Sequence, residues 1–300
     1  MGGLFGLELP AGLATVLGAL PFTSVGEASR FMRELVPSLV SAPLVTSGPD
    51  DEATGASLAA FREFLATMAG RVEPIVVSVT GPVTVWLDLR RNGVEPAAAA
   101  TRAVQLVEAQ AHEMLDATHE AMPEAQILMV LDEPALANSM HPTFPLQPDE
   151  IESLVGDVVR DLSDDATIGV RVDGRADWAM LLRTEIGVLG APVAAHLETA
   201  ATEISRFLER GGVIAWGAVP TDEPLGTSAD RLWRRLSALW CELSGLGTDP
   251  QLLRERSIIT TAGELSTFGI SQTARAIELA QDLAGRVFRQ TRGLQLSIGA

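Results

Sequence analysis

Short apolar segments alternate with longer stretches of helical period along almost the whole chain. Segments 14–18, 42–46, 75–80, 127–132, 167–173, 186–190, 213–219 and 257–262 are β-branched or apolar and five to seven residues long. Such near-continuous runs suit strands covered on both faces. Strands that alternate with helices predict a parallel sheet, and eight such units predict an α/β protein with a closed (β/α)8 TIM barrel. The 300 residues form one domain in this reading, somewhat above the ~250 typical of the fold.

Local signals mark several helix ends. Pro148 followed by Asp149 and Glu150 suits the positive end of a helix that runs on to Leu162. The Ala-rich 95–103 opens another, and 174–187 places Trp178, Leu181 and Leu182 on one helical face. The second strand is the least bounded, because the polar stretch 47–57 that follows reads as a loop.

Composition narrows the chemistry. All 22 basic residues are arginine and the chain has neither lysine nor tyrosine, which excludes a Schiff-base lysine, a P-loop lysine and a tyrosine acid. The formal charge of −17 disfavours nucleic acid and anionic membrane surfaces as partners. No apolar run is long enough to span a bilayer and no basic segment precedes the first hydrophobic residues, so a cytoplasmic location is expected. The single cysteine, Cys241, lies in the helical stretch 230–246 and reads as a helix-packing residue. His112, Asp116 and His119 fall near one face of an outer helix, without the spacing of a zinc-protease motif.

In a (β/α)8 barrel the residues just after each strand line the active-site face. After the third strand, Gly81 either lets a ligand approach the backbone or simply forms a turn. After the fourth, Asp132 and Glu133 alternate in direction, so only one carboxylate faces the mouth and the other faces the helix layer; the one at the mouth either holds a substrate amine or acts as a base, or simply caps a helix. Arg171 and Asp173 lie two residues apart at the end of the fifth strand and share its inward face. Trp216 and Gly217 end the seventh strand, where they either form an apolar wall against a ligand or, as is more usual for a tryptophan, Trp216 belongs to the core, and Glu264 joins a polar rim after the eighth.

These strand ends together carry a family resemblance. The stretches 16-VLGALP-21, 79-VTGPVT-84, 131-LDEPAL-136, 169-GVRVDG-174, 212-GVIAWGAVPT-221 and 258-IITTAGEL-265 fall in family order over nearly the whole chain. In them the chain resembles the catalytic barrel of cobalamin-independent methionine synthase, within the broader group that includes uroporphyrinogen decarboxylase. The resemblance implies methyl transfer from a folate-like donor to a homocysteine-like thiol, which the family activates by zinc. It also implies an amino-acid substrate held through Asp132, with Ala19 at the place of a substrate-contacting serine.

The zinc ligands implied by the resemblance are replaced. Arg171 stands for a histidine, Asp173 for a cysteine and Gly263 for the last cysteine, so no metal cofactor is expected. Asp132, Arg171 and Asp173 are then the candidate catalytic residues. Ala19, Gly81, Asp132, Trp216 and Glu264 are the candidate substrate contacts, and the partner is a small molecule at the barrel mouth. Against the transferase stands a diverged barrel that binds an amino-acid-like or anionic ligand, or a protein partner. Decarboxylation of a porphyrin-like acid ranks last, since only Arg171 and Arg175 would meet its carboxylates. The oligomeric state is left open.

Overall fold

The computed structural model describes residues 9–35, 39–45 and 55–298. In chain order its elements are β1 (Leu13–Ala14), β2 (Ala19–Leu20), α1 (Val25–Leu35), β3 (Val40–Ser41), β4 (Leu44–Val45), α2 (Gly55–Met68), β5 (Ile75–Thr80), α3 (Pro82–Arg91), α4 (Pro96–Ala121) and β6 (Ile127–Asp132). Then follow α5 (Pro148–Leu162), β7 (Thr167–Arg171), α6 (Trp178–Leu181), β8 (Val188–Pro192), α7 (Ala201–Glu209), β9 (Val213–Val219), α8 (Asp230–Gly245), α9 (Pro250–Glu255), β10 (Ser257–Thr261) and α10 (Ile270–Ile298).

Eight strands pair in the order β1-β10-β9-β8-β7-β6-β5-β3, every pair parallel. The two ends of this order are joined one step further along, where β2, which follows β1, pairs in parallel with β4, which follows β3. The curled sheet is therefore a (β/α)8 barrel of TIM type, as the alternation predicts.

Two apolar cores hold it. Leu13, Leu39, Val76, Leu128, Val130, Val188, Val213 and Ile258 pack together inside the barrel. Their sequence neighbours, such as Ile75, Val77, Leu131 and Ile214, face outward against the helices. Period-two alternation places both sets, and the helices cover the outer one.

Several boundaries move from the predicted ones. Of the expected strand 14–18 only Ala14 lies in a strand: β1 ends there and β2 begins at Ala19, with Gly18 at φ +91° between them. Of the expected strand 42–46 only Leu44 and Val45 lie in a strand, β4, and β3 precedes the span; Thr46 and most of the following polar stretch lie outside the described residues, and Gly55 already belongs to α2. The helix expected over 174–187 is the single turn α6, whose Met180 N–H donates to Asp177. Trp178 and Leu181 are buried as the pattern requires. Cys241 does not pack into the core: it lies on the solvent face of α8, whose buried side carries Leu236, Leu239, Trp240 and Leu243.

The predicted helix starts at 95–103 and 148–154 match α4 and α5. Glu95 accepts the Ala97 and Ala98 N–H groups, and Gln147 and Glu150 form a reciprocal capping box. No helix among the described residues is long and apolar enough to cross a membrane.

Candidate functional site

The C-terminal strand ends bring Asp132, Arg171 and Asp173 together. Asp132 continues the inner face of Leu128 and Val130 on β6, and its registered neighbour across the parallel ladder is Arg171 on β7. Arg171 Nη1 donates to Asp132 Oδ1 at 2.6 Å, and Nη2 lies 2.5 Å from Asp173 Oδ1. The arginine side chain is only 3% exposed, while the two carboxylates are 21% and 28% exposed. A cation is thus held inside the rim between two partly open anions.

Two glycines make room for that cation. A Cβ on Gly18 would stand 3.0 Å from Arg171 Nη1, and one on Gly190 would stand 3.2 Å from Arg171 Cβ. Gly18 also needs its glycine for the backbone itself, since φ is +91°. Its role was not read from the sequence; the signal available was a glycine interrupting an apolar run.

Glu133 points the other way and is fully buried. Its carboxylate accepts the Val83 N–H at 2.8 Å, the Thr84 N–H at 2.8 Å and the Thr84 hydroxyl at 2.6 Å. These amides belong to the first turn of α3, whose N-cap Gly81 has no side chain to satisfy them. Gly81 therefore does not open the backbone to a ligand: a Cβ there would lie 2.4 Å from the Glu133 carboxyl group, which fills the space.

Burial raises the Glu133 carboxyl to about 7, against the opposing hydrogen bonds from Thr84 and Val83. Burial likewise raises Asp173 to about 6. The Arg171 charge pulls it down, and the nearby Asp132 and Glu264 charges push it further up.

Beside this group lies a cavity of about 880 Å³ across the ends of β7 to β10 and the flank of α8. That is the size of a small-molecule site. Asp173, Gly217, Gly263 and Glu264 line it, so Asp173 belongs both to the ion group and to the cavity wall. Asp132 and Arg171 stand behind that wall.

The other expected contacts are placed differently. Ala19 is outside the wall, and its carbonyl accepts the Leu265 N–H at 2.8 Å. Trp216 is not a ligand wall: its indole is fully buried on the outer face of β9, donates to Ser257 Oγ at 2.7 Å and meets Trp240 edge-on at 6.0 Å. Its place follows from strand alternation, which turns Gly217 and not Trp216 toward the mouth. Sequence reasoning missed Glu242 and Arg235, which reach the cavity from α8, an element that has no strand-end position to flag it.

His112 lies on the outside, its Nε2 2.8 Å from Asp161 of α5. Among the described residues no group of three or more His, Cys, Asp and Glu is placed to hold a metal ion.

No family model matches the sequence, and no curated protein does. Among solved structures, the chain is similar to a candidate vitamin-B12 independent methionine synthase from Listeria monocytogenes, with a TM-score of 0.59 and 11% identity over 92% of this chain and 99% of that one. KGPDC from Streptococcus mutans aligns at a TM-score of 0.39 and 14% identity, over 94% of this chain and 100% of that one. A xylanase from Thermobacillus composti aligns at 0.35 and 14%, over 91% and 97%. The last two align too loosely to inform the fold, and the first shares with this chain the architecture of its barrel.

Proposed function

We propose that this chain is a methionine-synthase-like barrel that binds a small amino-acid-like molecule at its mouth and transfers a methyl group to a thiol of that molecule. One observation carries the reading: Asp173 joins the Asp132–Arg171 ion pair to the wall of an 880 Å³ cavity. Glu264 on the cavity wall would take the ammonium group of an amino acid, and the exposed Arg175 on the same wall would take its carboxylate.

The zinc that the resemblance implies does not fit these residues. Arg171 is a cation without a lone pair and is already held by two carboxylates. Gly263 supplies no donor, and a Cβ there would lie 2.5 Å from Thr221 Oγ1. In this reading Asp173, ionised above about pH 6, accepts the thiol proton in place of metal activation. The buried Arg171 behind it keeps the site from accumulating negative charge.

The replaced ligand positions favour a second reading, a barrel that binds the amino acid without turning it over. Calorimetry with homocysteine and a labelled-methyl assay separate the two. Binding that falls at least several-fold in Asp173→Asn, with chelator-resistant turnover, supports the transferase; binding without turnover supports the second reading. No binding of any amino acid would overturn both. Elemental analysis of the purified protein should find well below one zinc per chain, and one tightly held zinc per chain would contradict the metal-free route.

A further inference from the structure

We propose that Glu133 is a positioning residue for the cavity: by tying the end of β6 to the first turn of α3, it sets where Asp132 and Arg171 hold Asp173 in the cavity wall. The proposal rests on the reading of this cavity as the ligand site, and it adds to that site a fully buried residue outside the wall.

A single peptide unit links the two neighbours of β6. The carbonyl of Asp132 accepts the Gly81 N–H at 2.8 Å, and the N–H of Glu133, on the same peptide, donates to the Arg171 carbonyl at 2.9 Å. The side chains on either side of that peptide repeat the pattern. Glu133 takes the Val83 and Thr84 amides and the Thr84 hydroxyl from α3, while Asp132 takes Arg171 Nη1 from β7. The Thr84 hydroxyl also accepts the Ala135 N–H at 3.4 Å, which holds the chain just after Glu133.

Capping of α3 does not by itself call for this arrangement. Gly81 lies at φ −77° and ψ 162°, a backbone that serine, threonine or aspartate adopts at an N-cap, and any of the three would satisfy an α3 amide from within its own segment. The acceptor comes instead from Glu133, 50 residues from Val83 along the chain, with its carboxylate fully buried. Burying a carboxylate is costly, and a local cap would avoid that cost. What the buried carboxylate adds is a fixed relation between α3 and the end of β6.

From there the constraint passes to the cavity through two contacts. Arg171 is held by Asp132 at 2.6 Å and meets Asp173 at 2.5 Å, and Asp173 is the member of the ion group that lines the cavity. With Gly18 and Gly190 packed closely against the arginine, a shift of the Asp132–Glu133 peptide is passed on to Asp173. Glu133 thus acts on the wall through Asp132 and Arg171, without touching a ligand itself.

The test separates positioning from capping. Glu133→Ala removes both, and Gly81→Asp in the Glu133→Ala background returns a cap to α3 from its own segment, in the space the glutamate has vacated, without restoring the tether to β6. Three properties are read: the urea midpoint, carbon NMR titration of the Asp173 carboxyl group, and calorimetry with homocysteine. The recapped variant should regain most of the midpoint lost in Glu133→Ala. Its Asp173 should still titrate below the wild-type value of about 6, because burial is the largest cause of that rise and a loosened ion group admits water. Its homocysteine affinity should stay about tenfold down. The near-isosteric Glu133→Gln should fall between wild type and the recapped variant in both Asp173 titration and affinity. Recovery of both properties along with the midpoint in the recapped variant, or wild-type values of both in a destabilised Glu133→Gln, shows a cap and nothing more and overturns the proposal. A wild type that binds no homocysteine removes the ligand reading, and the titration of Asp173 then decides the positioning role alone.

Discussion

Asp132 and Arg171 are registered neighbours on adjacent parallel strands, and the arginine donates to the aspartate at 2.6 Å from a position that is 3% exposed. The pair exists because alternation turns both side chains inward at the last rung of the β6–β7 ladder. Asp173, two residues on, completes it from the other side.

Removing the central cation leaves two carboxylates facing each other. Arg171→Met should therefore lower stability by about 3–5 kcal/mol, measured by urea denaturation. The triple variant Asp132→Asn, Arg171→Met, Asp173→Asn should recover most of that loss. A wild-type midpoint in Arg171→Met would show that the ion group is not a structural unit.

The buried acids set a pH dependence. Glu133 is raised from 4.5 to about 7 and Asp173 from 3.8 to about 6, so the folded chain binds more protons than the unfolded one between about pH 4 and 7. The contribution of these two groups to stability is then present at the acid end and is lost as pH rises through that window. Denaturation midpoints across pH 4–8 should show a shallower decline in Glu133→Gln and Asp173→Asn than in the wild type.

Gly81 and Glu133 occupy one space. Gly81→Ala should destabilise by more than about 2 kcal/mol, since its methyl group would meet a fully buried carboxyl group at 2.4 Å. Glu133→Ala should cost about 1–3 kcal/mol by stranding the α3 amides. The double variant should cost less than the sum, and strict additivity in a double-mutant cycle would refute the shared space.

Trp216→Phe tests the reassignment of that side chain. Loss of the bond to Ser257 should cost about 1 kcal/mol in thermal or chemical denaturation. Ligand affinity at the mouth should stay within twofold, and a larger drop would return Trp216 to the site.

The alternation of apolar strands and helical periods determined the (β/α)8 barrel, because period-two burial and the need to cover both faces of a parallel sheet leave few other folds. The same alternation, applied to Asp132 and Glu133, determined that one carboxylate faces the mouth and the other the helices. It also put Arg171 and Asp173 on one side of their strand. Tertiary structure alone decided what these groups touch. That Glu133 caps α3, that Gly18 and Gly81 leave room for an arginine and a carboxylate, and that α8 adds Glu242 to the cavity all depend on segments far apart in the chain. Distances across strands and helices are set by barrel closure and helix packing, which no local pattern of residues encodes.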